Sequence, residues 1–254
     1  MTKSQPPAAD GRSARSRPSS RGGRPARIDR AAIARAAGEI PLAELSMRSV
    51  AERLGVTVSS LYHYVAGRDE LFALAAEQTV RRLAHPVDRG QHWAVWFYEW
   101  AVYIRRAFVA DPGLLKQYVD GVIGVEAMAE NLNAALDLCV RQGFSVSAAL
   151  RTYELVSECA LGSAITQIRG DHARAAGHSV DRLIRRMIVD GDRPLPQLEF
   201  LLTGGTIEQT FPFPDQITTV LLGVALQRDE DVAEIRDLLR AESRAGSERA
   251  RPAP

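Results

Sequence analysis

Residues 46–71 read SMRSVAERLGVTVSSLYHYVAGRDEL, two short apolar-periodic segments on either side of Gly55. In the first, Met47, Val50, Ala51 and Leu54 recur at i, i+3, i+4 and i+7, one face of a helix, and Arg48, Glu52 and Arg53 face outward. Ser46 stands where an N-cap belongs, and Gly55 follows the last apolar position, where a left-handed backbone is free of steric cost only for glycine. Thr57 can cap the second helix, in which Leu61 and Val65 point inward at i and i+4 while Ser59, Ser60, Tyr62, His63 and Tyr64 spread over the remaining surface. Val58 fits either set: its spacing with Leu61 and Val65 suits a core, and its place at the helix start suits a thymine methyl. Two short helices at a tight glycine turn bury little alone. Such a pair is either a hairpin inside an ordinary helical core or a tool mounted on a larger scaffold, and the common tool is a DNA reader. Small hydroxyls at the start of the second helix allow close approach to a groove, and aromatic tips with hydroxyl or imidazole groups can reach phosphates and base edges.

The run from Met47 to Leu71 resembles the DNA-binding domain of the tetracycline-repressor (TetR) family of bacterial transcription regulators. The shared pattern is Arg48-Ser-Val-Ala51, Leu54-Gly55-Val56, Ser60-Leu61-Tyr62, Tyr64-Val65 and Arg68-Asp-Glu-Leu71. The resemblance implies an all-α fold: an N-terminal three-helix helix-turn-helix DNA-binding domain, then a C-terminal helical ligand-binding and dimerisation domain. It also implies DNA contacts from Arg27, Ser46, Arg48, Thr57, Val58, Ser59, Ser60, Tyr62, His63, Tyr64 and Arg68. Within that set the Arg48 fork suits guanine O6 and N7, Tyr62 and Tyr64 suit phosphates, and Arg68 suits the DNA backbone. One feature departs from the family pattern: residues 39–45, with Pro41, replace the usual glycine-containing turn. The histidines through which tetracycline-specific members hold a drug–magnesium chelate are missing at the matching positions, so tetracycline recognition is not implied.

A chain of 254 residues leaves room for a second domain of ordinary size beyond a reader of about fifty residues. Alanine, leucine and arginine dominate and strand-like alternation is absent, which favours an all-α class. The two cysteines, Cys139 and Cys159, lie in helical patterns without paired-ligand spacing, so the expectation is a reduced, cytoplasmic protein with no metal and no cofactor. No stretch approaches the roughly 20 apolar residues of a membrane span, and the N-terminus has no hydrophobic signal core. A net charge of +1 hides an uneven distribution. Residues 1–30 hold eight Lys or Arg against Asp10 and Asp29, a net +6, which leaves −5 for the remainder. The basic charge is concentrated beside the reader, as a phosphate-binding surface requires.

These patterns divide the chain into an Arg-rich arm (1–26), the reader (27–71), a ligand-binding and dimerisation body (72–241) and a tail (242–254), with arm and tail expected to be disordered. The arm is either a solubilising segment or one that follows the DNA backbone into the adjacent minor groove. The first helix is expected over 28–40, capped by Asp29, with Ile33, Ala36, Ala37 and Ile40 inward. A fourth helix starts at Arg68, continues through Leu83 and ends before Pro86, with His85 at its end as a surface residue. Body helices are expected over 91–110, 112–120, 124–142, 146–169, 180–190 and 215–227. Gly170 to Gly177 and the Gly/Pro-rich stretch 191–214 act as separators, and 228–240 extends the set. Gly204-Gly205 lacks the glycine pattern and the strand-turn-helix setting of a phosphate loop.

The segment 91–110 contains all three tryptophans, crowded on one side as Trp93, Trp96 and Trp100 with Phe97 and Tyr103. Such a stripe is first of all core, but amphipathic aromatics also line small-molecule cavities. A pocket for a small hydrophobic effector would draw on Trp96, Trp100, Tyr103, Gln117, Tyr118, Met128, Asn131, Tyr153 and Ser157. Helices 146–169 and 215–227 match the family's dimer helices, and a homodimer reading double-stranded operator DNA is the implied assembly. Two other functions compete. An all-α enzyme would need a nucleophile, base or metal set, and none is visible; a non-specific architectural DNA-binding protein would rely mainly on the basic arm.

Overall fold

The computed structural model describes residues 28–82, 85–122, 125–191, 194–203 and 212–249, with 82, 125–128 and 247–249 described as backbone only. Among the described residues there are twelve helices and no strand. The reader comprises α1 (Arg30–Gly38), α2 (Met47–Leu54) and α3 (Val58–Leu61). Asp29 caps α1, its carboxylate accepting the Ala32 amide at 2.7 Å. Ile33, Ala36 and Ala37 are buried as the helical period requires, and Ile40 is half-buried. The connection through Pro41 works without a glycine because it forms a turn, Glu44 N–H to Pro41 C=O at 2.8 Å, that drives Leu42 and Leu45 into the reader core.

The body follows: α4 (Arg68–Arg82), α5 (Trp93–Ala110), α6 (Pro112–Val119), α7 (Val125–Arg141), α8 (Val146–Ala175), α9 (Val180–Asp190), α10 (Pro196–Thr203), α11 (Phe213–Gln227) and α12 (Val232–Arg249). α5 is buried on most of its circumference rather than along one stripe: Trp93, Ala94, Trp96, Phe97, Tyr98, Trp100, Ala101 and Ile104 are all in the core. It is therefore the central helix, with α8, α11, α12 and α6 packed around it. Ala149, Ala160 and Ala164 of α8 are buried, and such small residues allow two helices to approach closely.

Three boundaries correct the sequence expectation. α8 does not stop before Gly170 but continues to Ala175, with Gly170 buried. The stretch 191–214 contains a helix, α10, with Pro196 at its first position, where the missing amide proton is no loss. α12 passes Ala241 and reaches Arg249, so residues 242–249 are helical rather than a disordered tail; the Tyr98 phenol hydrogen-bonds Ser243 there. The arm, Leu83 and Gly204-Gly205 lie outside the described residues. No helix among those described is long and apolar enough to cross a membrane.

α5 starts on an unusual cap, His92, whose ring Nδ1 accepts the Ala94 amide at 3.2 Å. Only neutral imidazole can accept there. Burial lowers the His92 pKa from its ordinary 6.5, outweighing the opposing pull of Glu230 and Glu234. The unfolded chain therefore takes up this proton at higher pH than the folded one. The stabilisation is complete above about pH 6.5 and is lost as pH falls toward the lowered folded value. Thermal unfolding from about pH 8 to about pH 5 is expected to show a shallower loss for His92→Asn, which keeps an acceptor and does not titrate. Identical pH slopes for the two proteins would refute the assignment.

Candidate nucleic-acid interface

The start of α2 is fixed by a reciprocal pair: Ser46 Oγ accepts the Ser49 amide at 3.0 Å, and Ser49 Oγ accepts the Ser46 amide at 2.9 Å. Ser46 is thus occupied as a cap, half-buried, rather than free on the surface. Arg48 follows, fully outward, its Nε donating to Glu52 Oε1 at 2.8 Å. That hydrogen bond raises the Arg48 pKa further above its ordinary value and keeps the guanidinium charged. Gly55 has φ 68°, the left-handed conformation expected of it, and the turn closes through Val56 N–H to Ala51 C=O at 3.0 Å.

Thr57 then caps α3, accepting the Ser60 amide at 3.3 Å and sharing a hydrogen bond with the Ser60 hydroxyl at 2.9 Å. α3 itself is a single turn, and residues 62–64 continue as a tight turn in which Val65 N–H reaches Leu61 C=O at 3.1 Å. Leu61 and Val65 are buried, and Val58 is half-buried against the same core. Ser59, Tyr62, His63 and Tyr64 share the outer surface, with Tyr62 56 % and Tyr64 41 % exposed. Arg68, at the start of α4, lies over the Phe72 ring at 5.1 Å, which steadies its guanidinium without covering it. Arg27 lies outside the described residues.

Two carboxylates that spacing alone did not single out hold this surface together. Glu70 accepts the Ala66 amide with one oxygen and pairs with Arg30 Nη2 at 2.6 Å with the other, tying α1 to the approach to α4. Glu39 takes both Nε and Nη2 of Arg53 and so ties α2 to the end of α1. Neither pair falls at i, i+4, so neither was visible as a helical pair in the sequence.

Residues 30–75 match the family model described as bacterial regulatory proteins, tetR family. The match covers α1 to α3 and the first half of α4, so it is this N-terminal unit that is similar to the family. Solved structures of tetR-family proteins share the chain's fold. ActR from Streptomyces coelicolor, in complex with actinorhodin, is 23 % identical, with a TM-score of 0.61 over 78 % of this chain and 96 % of that one. TetR from Acinetobacter baumannii AYE is 20 % identical, with a TM-score of 0.55 over 79 % of this chain and 98 % of that one. At such identities the likeness is one of fold. No curated protein matches the sequence.

In the body, the rings singled out for an effector form a ladder. Trp96 stacks on Trp100 at 5.7 Å, and Trp100 on Tyr103 and on Tyr153 at 5.3 Å each. The Trp100 indole donates to Ser157 Oγ at 3.0 Å. Burial raises the Tyr103 and Tyr153 phenol pKa values, so both remain hydroxyl donors. Gln117 is buried, Asn131 is half-buried, and Tyr118 turns toward Phe108 at 5.5 Å. The Met128 side chain lies outside the described residues. Two surface hollows lie elsewhere. One of about 420 Å³ is lined by Asp88, Gln91, His92 and Arg141; one of about 440 Å³ lies between α8 and α11, beside Thr152, Leu155 and Val224. Among the described residues no group of three or more His, Cys, Asp or Glu is gathered that could hold a metal ion.

Glu70→Ala removes both bonds of the clamp and is expected to destabilise the chain by about 1–2 kcal/mol in chemical denaturation, the part-exposed ion pair contributing the smaller share. Glu70→Gln, which keeps an acceptor for Ala66, is expected to recover part of that loss. Equal stability of the Ala variant and the parent would show that the clamp carries no weight.

Proposed function

We propose that the chain is a homodimeric, sequence-specific repressor released from a pseudo-palindromic operator by a small hydrophobic effector. The observation that carries the DNA reading is the α3 surface. Tyr62 and Tyr64 are large and exposed in the turn that follows α3, adjacent to His63 and close in sequence to Ser59, in a segment whose buried side is already committed to Leu61 and Val65. Exposed aromatics in such a cluster call for a partner. Arg48 and Arg68 flank it with outward cations, and the basic arm 1–26 precedes it in sequence. In this reading Tyr62, Tyr64, Arg68, Thr57 and Ser60 engage phosphates, Arg48 reads guanine, and Ser59 and His63 face the groove.

Dimerisation is supported by the outer faces of α8 and α11, which pack on each other and leave apolar and small residues uncovered: Leu155 is 47 % and Leu226 69 % exposed, with Gly162 and Gly223 beside them. A second copy would cover this face and set two readers about one helical turn of DNA apart, or a little more. The ring ladder supports a hydrophobic, ring-bearing effector. If that effector prefers a conformation in which the readers are wrongly spaced, operator affinity falls by the same coupling factor.

Selection from random DNA is expected to return a two-fold symmetric site, and Arg48→Ala is expected to lower affinity for it by about 5- to 150-fold and relax preference at one base pair per half-site. Binding without any sequence preference would overturn the repressor reading in favour of an architectural protein. Leu226→Glu places a carboxylate in the proposed dimer face and is expected to convert the dimer to monomer in sedimentation experiments, with operator affinity falling in parallel. A parent chain that sediments as a monomer, or a variant still dimeric, would refute that face.

A further inference from the structure

We infer that Glu52 is a positioning residue for DNA readout: by holding Nε of Arg48 it keeps the two terminal nitrogens of that guanidinium open as a fork and so strengthens selection of one guanine per half-site. This rests on the proposed reading of Arg48 as a base contact. The distinction comes from two arginines on one helix. Arg53 gives both Nε and Nη2 to Glu39, so its fork is consumed in tying α2 to α1. Arg48 gives only Nε, to Glu52 Oε1 at 2.8 Å, and among the described residues its terminal nitrogens have no protein partner. A guanidinium needs two parallel N–H bonds to engage O6 and N7 together. Engaged at Nε, the Arg48 group retains a donor pair for a base edge.

The base of the arrangement is rigid. Arg48 sits in the first turn of α2, which the Ser46/Ser49 pair fixes, and Glu52 lies one turn further along the same exposed face. Both side chains are open to solvent, 84 % for Arg48 and 63 % for Glu52, so the pair adds little to stability. Its effect is on ordering. A long, free arginine loses rotamer freedom when it docks, and a side chain already held in one orientation loses less. Glu52 also places a negative charge near the DNA, which opposes binding to phosphate alone. Its two effects therefore diverge: it favours the correct base while disfavouring indiscriminate contact.

The test uses the full chain and the site returned by selection, with versions of that site substituted at the guanine assigned to Arg48. Glu52→Ala is expected to cut the preference for guanine at that pair by about tenfold, with affinity for unrelated DNA unchanged or higher and thermal unfolding unaltered. Glu52→Gln, whose amide oxygen still accepts from Nε, is expected to retain most of the preference. The double variant Arg48→Ala/Glu52→Ala is expected to match Arg48→Ala alone, because Glu52 acts through Arg48. A preference within about twofold of the parent in Glu52→Ala would overturn the inference, as would Glu52→Gln behaving like Glu52→Ala. A further loss in the double variant would also overturn it, by making Glu52 a base contact itself. An Arg48→Ala variant with every base preference intact would instead remove the underlying assignment of Arg48.

Discussion

Leu114 is only 2 % exposed in the core of the reader although it belongs to α6, and Ala107 of α5 is buried beside it. Helices as short as α2 and α3 are marginal by themselves, so they persist only where an outside surface completes their core. Val50, Ala51, Leu61 and Val65 close against α1, α4 and the two leucines of the Pro41 connection. The remaining opening is filled from the body. Burying one leucine contributes about 1.5–3 kcal/mol, a large share of what a domain this small can accumulate. The contact is also tight: a Cβ at Gly113 would stand 2.8 Å from Leu42 Cβ and 3.3 Å from the Ala43 nitrogen. Asp111 caps α6 at that point through the Gly113 amide at 2.9 Å, so the closest approach occurs where the helix is best anchored. The reader core is consequently completed by residues of α5 and α6, and a tilt of the reader against those helices disturbs its packing.

The far end of the body is held by a different device. Arg228 lies 3.5 Å from the centre of the Phe144 ring and donates to Glu230 Oε1 at 2.6 Å, while the other Glu230 oxygen takes the Trp93 indole proton at 2.8 Å. Gln142 accepts the Trp93 amide at 2.8 Å and gives its carbonyl to Arg228 at 3.0 Å. Three helix ends, those of α5, α7 and α11, are thereby locked in one network of satisfied polar groups. Cys139, nearby, has its thiol pushed up to about 12 by burial, so it is an inert core residue rather than a reactive one.

Features governed by neighbouring residues were legible in the sequence. The Asp29, Ser46 and Thr57 caps, the left-handed Gly55 and the inward faces of α1 and α2 all follow from rules that reach only a few positions along the chain. What escaped depended on partners far away in sequence. Gly170 looks like a break, yet the cost of one helical glycine, about 1 kcal/mol, is outweighed where that glycine is buried in a thirty-residue helix. Residues 242–249 carry no apolar stripe, but alanine, glutamate and arginine favour helix, and Tyr98 provides an anchor at Ser243. In the reader, the outward residues of α3 and of the turn after it were legible because Leu61 and Val65 define the inner side, although the helix itself stops at Leu61 rather than running on to Val65. The clamps at Glu39 and Glu70 were not, since their partners Arg53 and Arg30 lie on other elements.

Phe108 is where these two cores meet. It packs against the reader core and the body core alike, and its ring lies 5.5 Å from that of Tyr118. Tyr118 is in turn close enough to Tyr153 for its phenol to help raise the Tyr153 pKa, and Tyr153 stacks on Trp100. A line of aromatic side chains thus runs from the ladder to the residue shared with the reader. Close-packed interiors do not absorb a displaced ring by small compressions; they move to another packing. Under the proposed mechanism, the route from a parted ladder to the reader core leads through Tyr118 and Phe108. Under the same proposal the linkage runs in reverse: DNA bound to the reader lowers affinity for the effector by the factor that the effector lowers affinity for DNA.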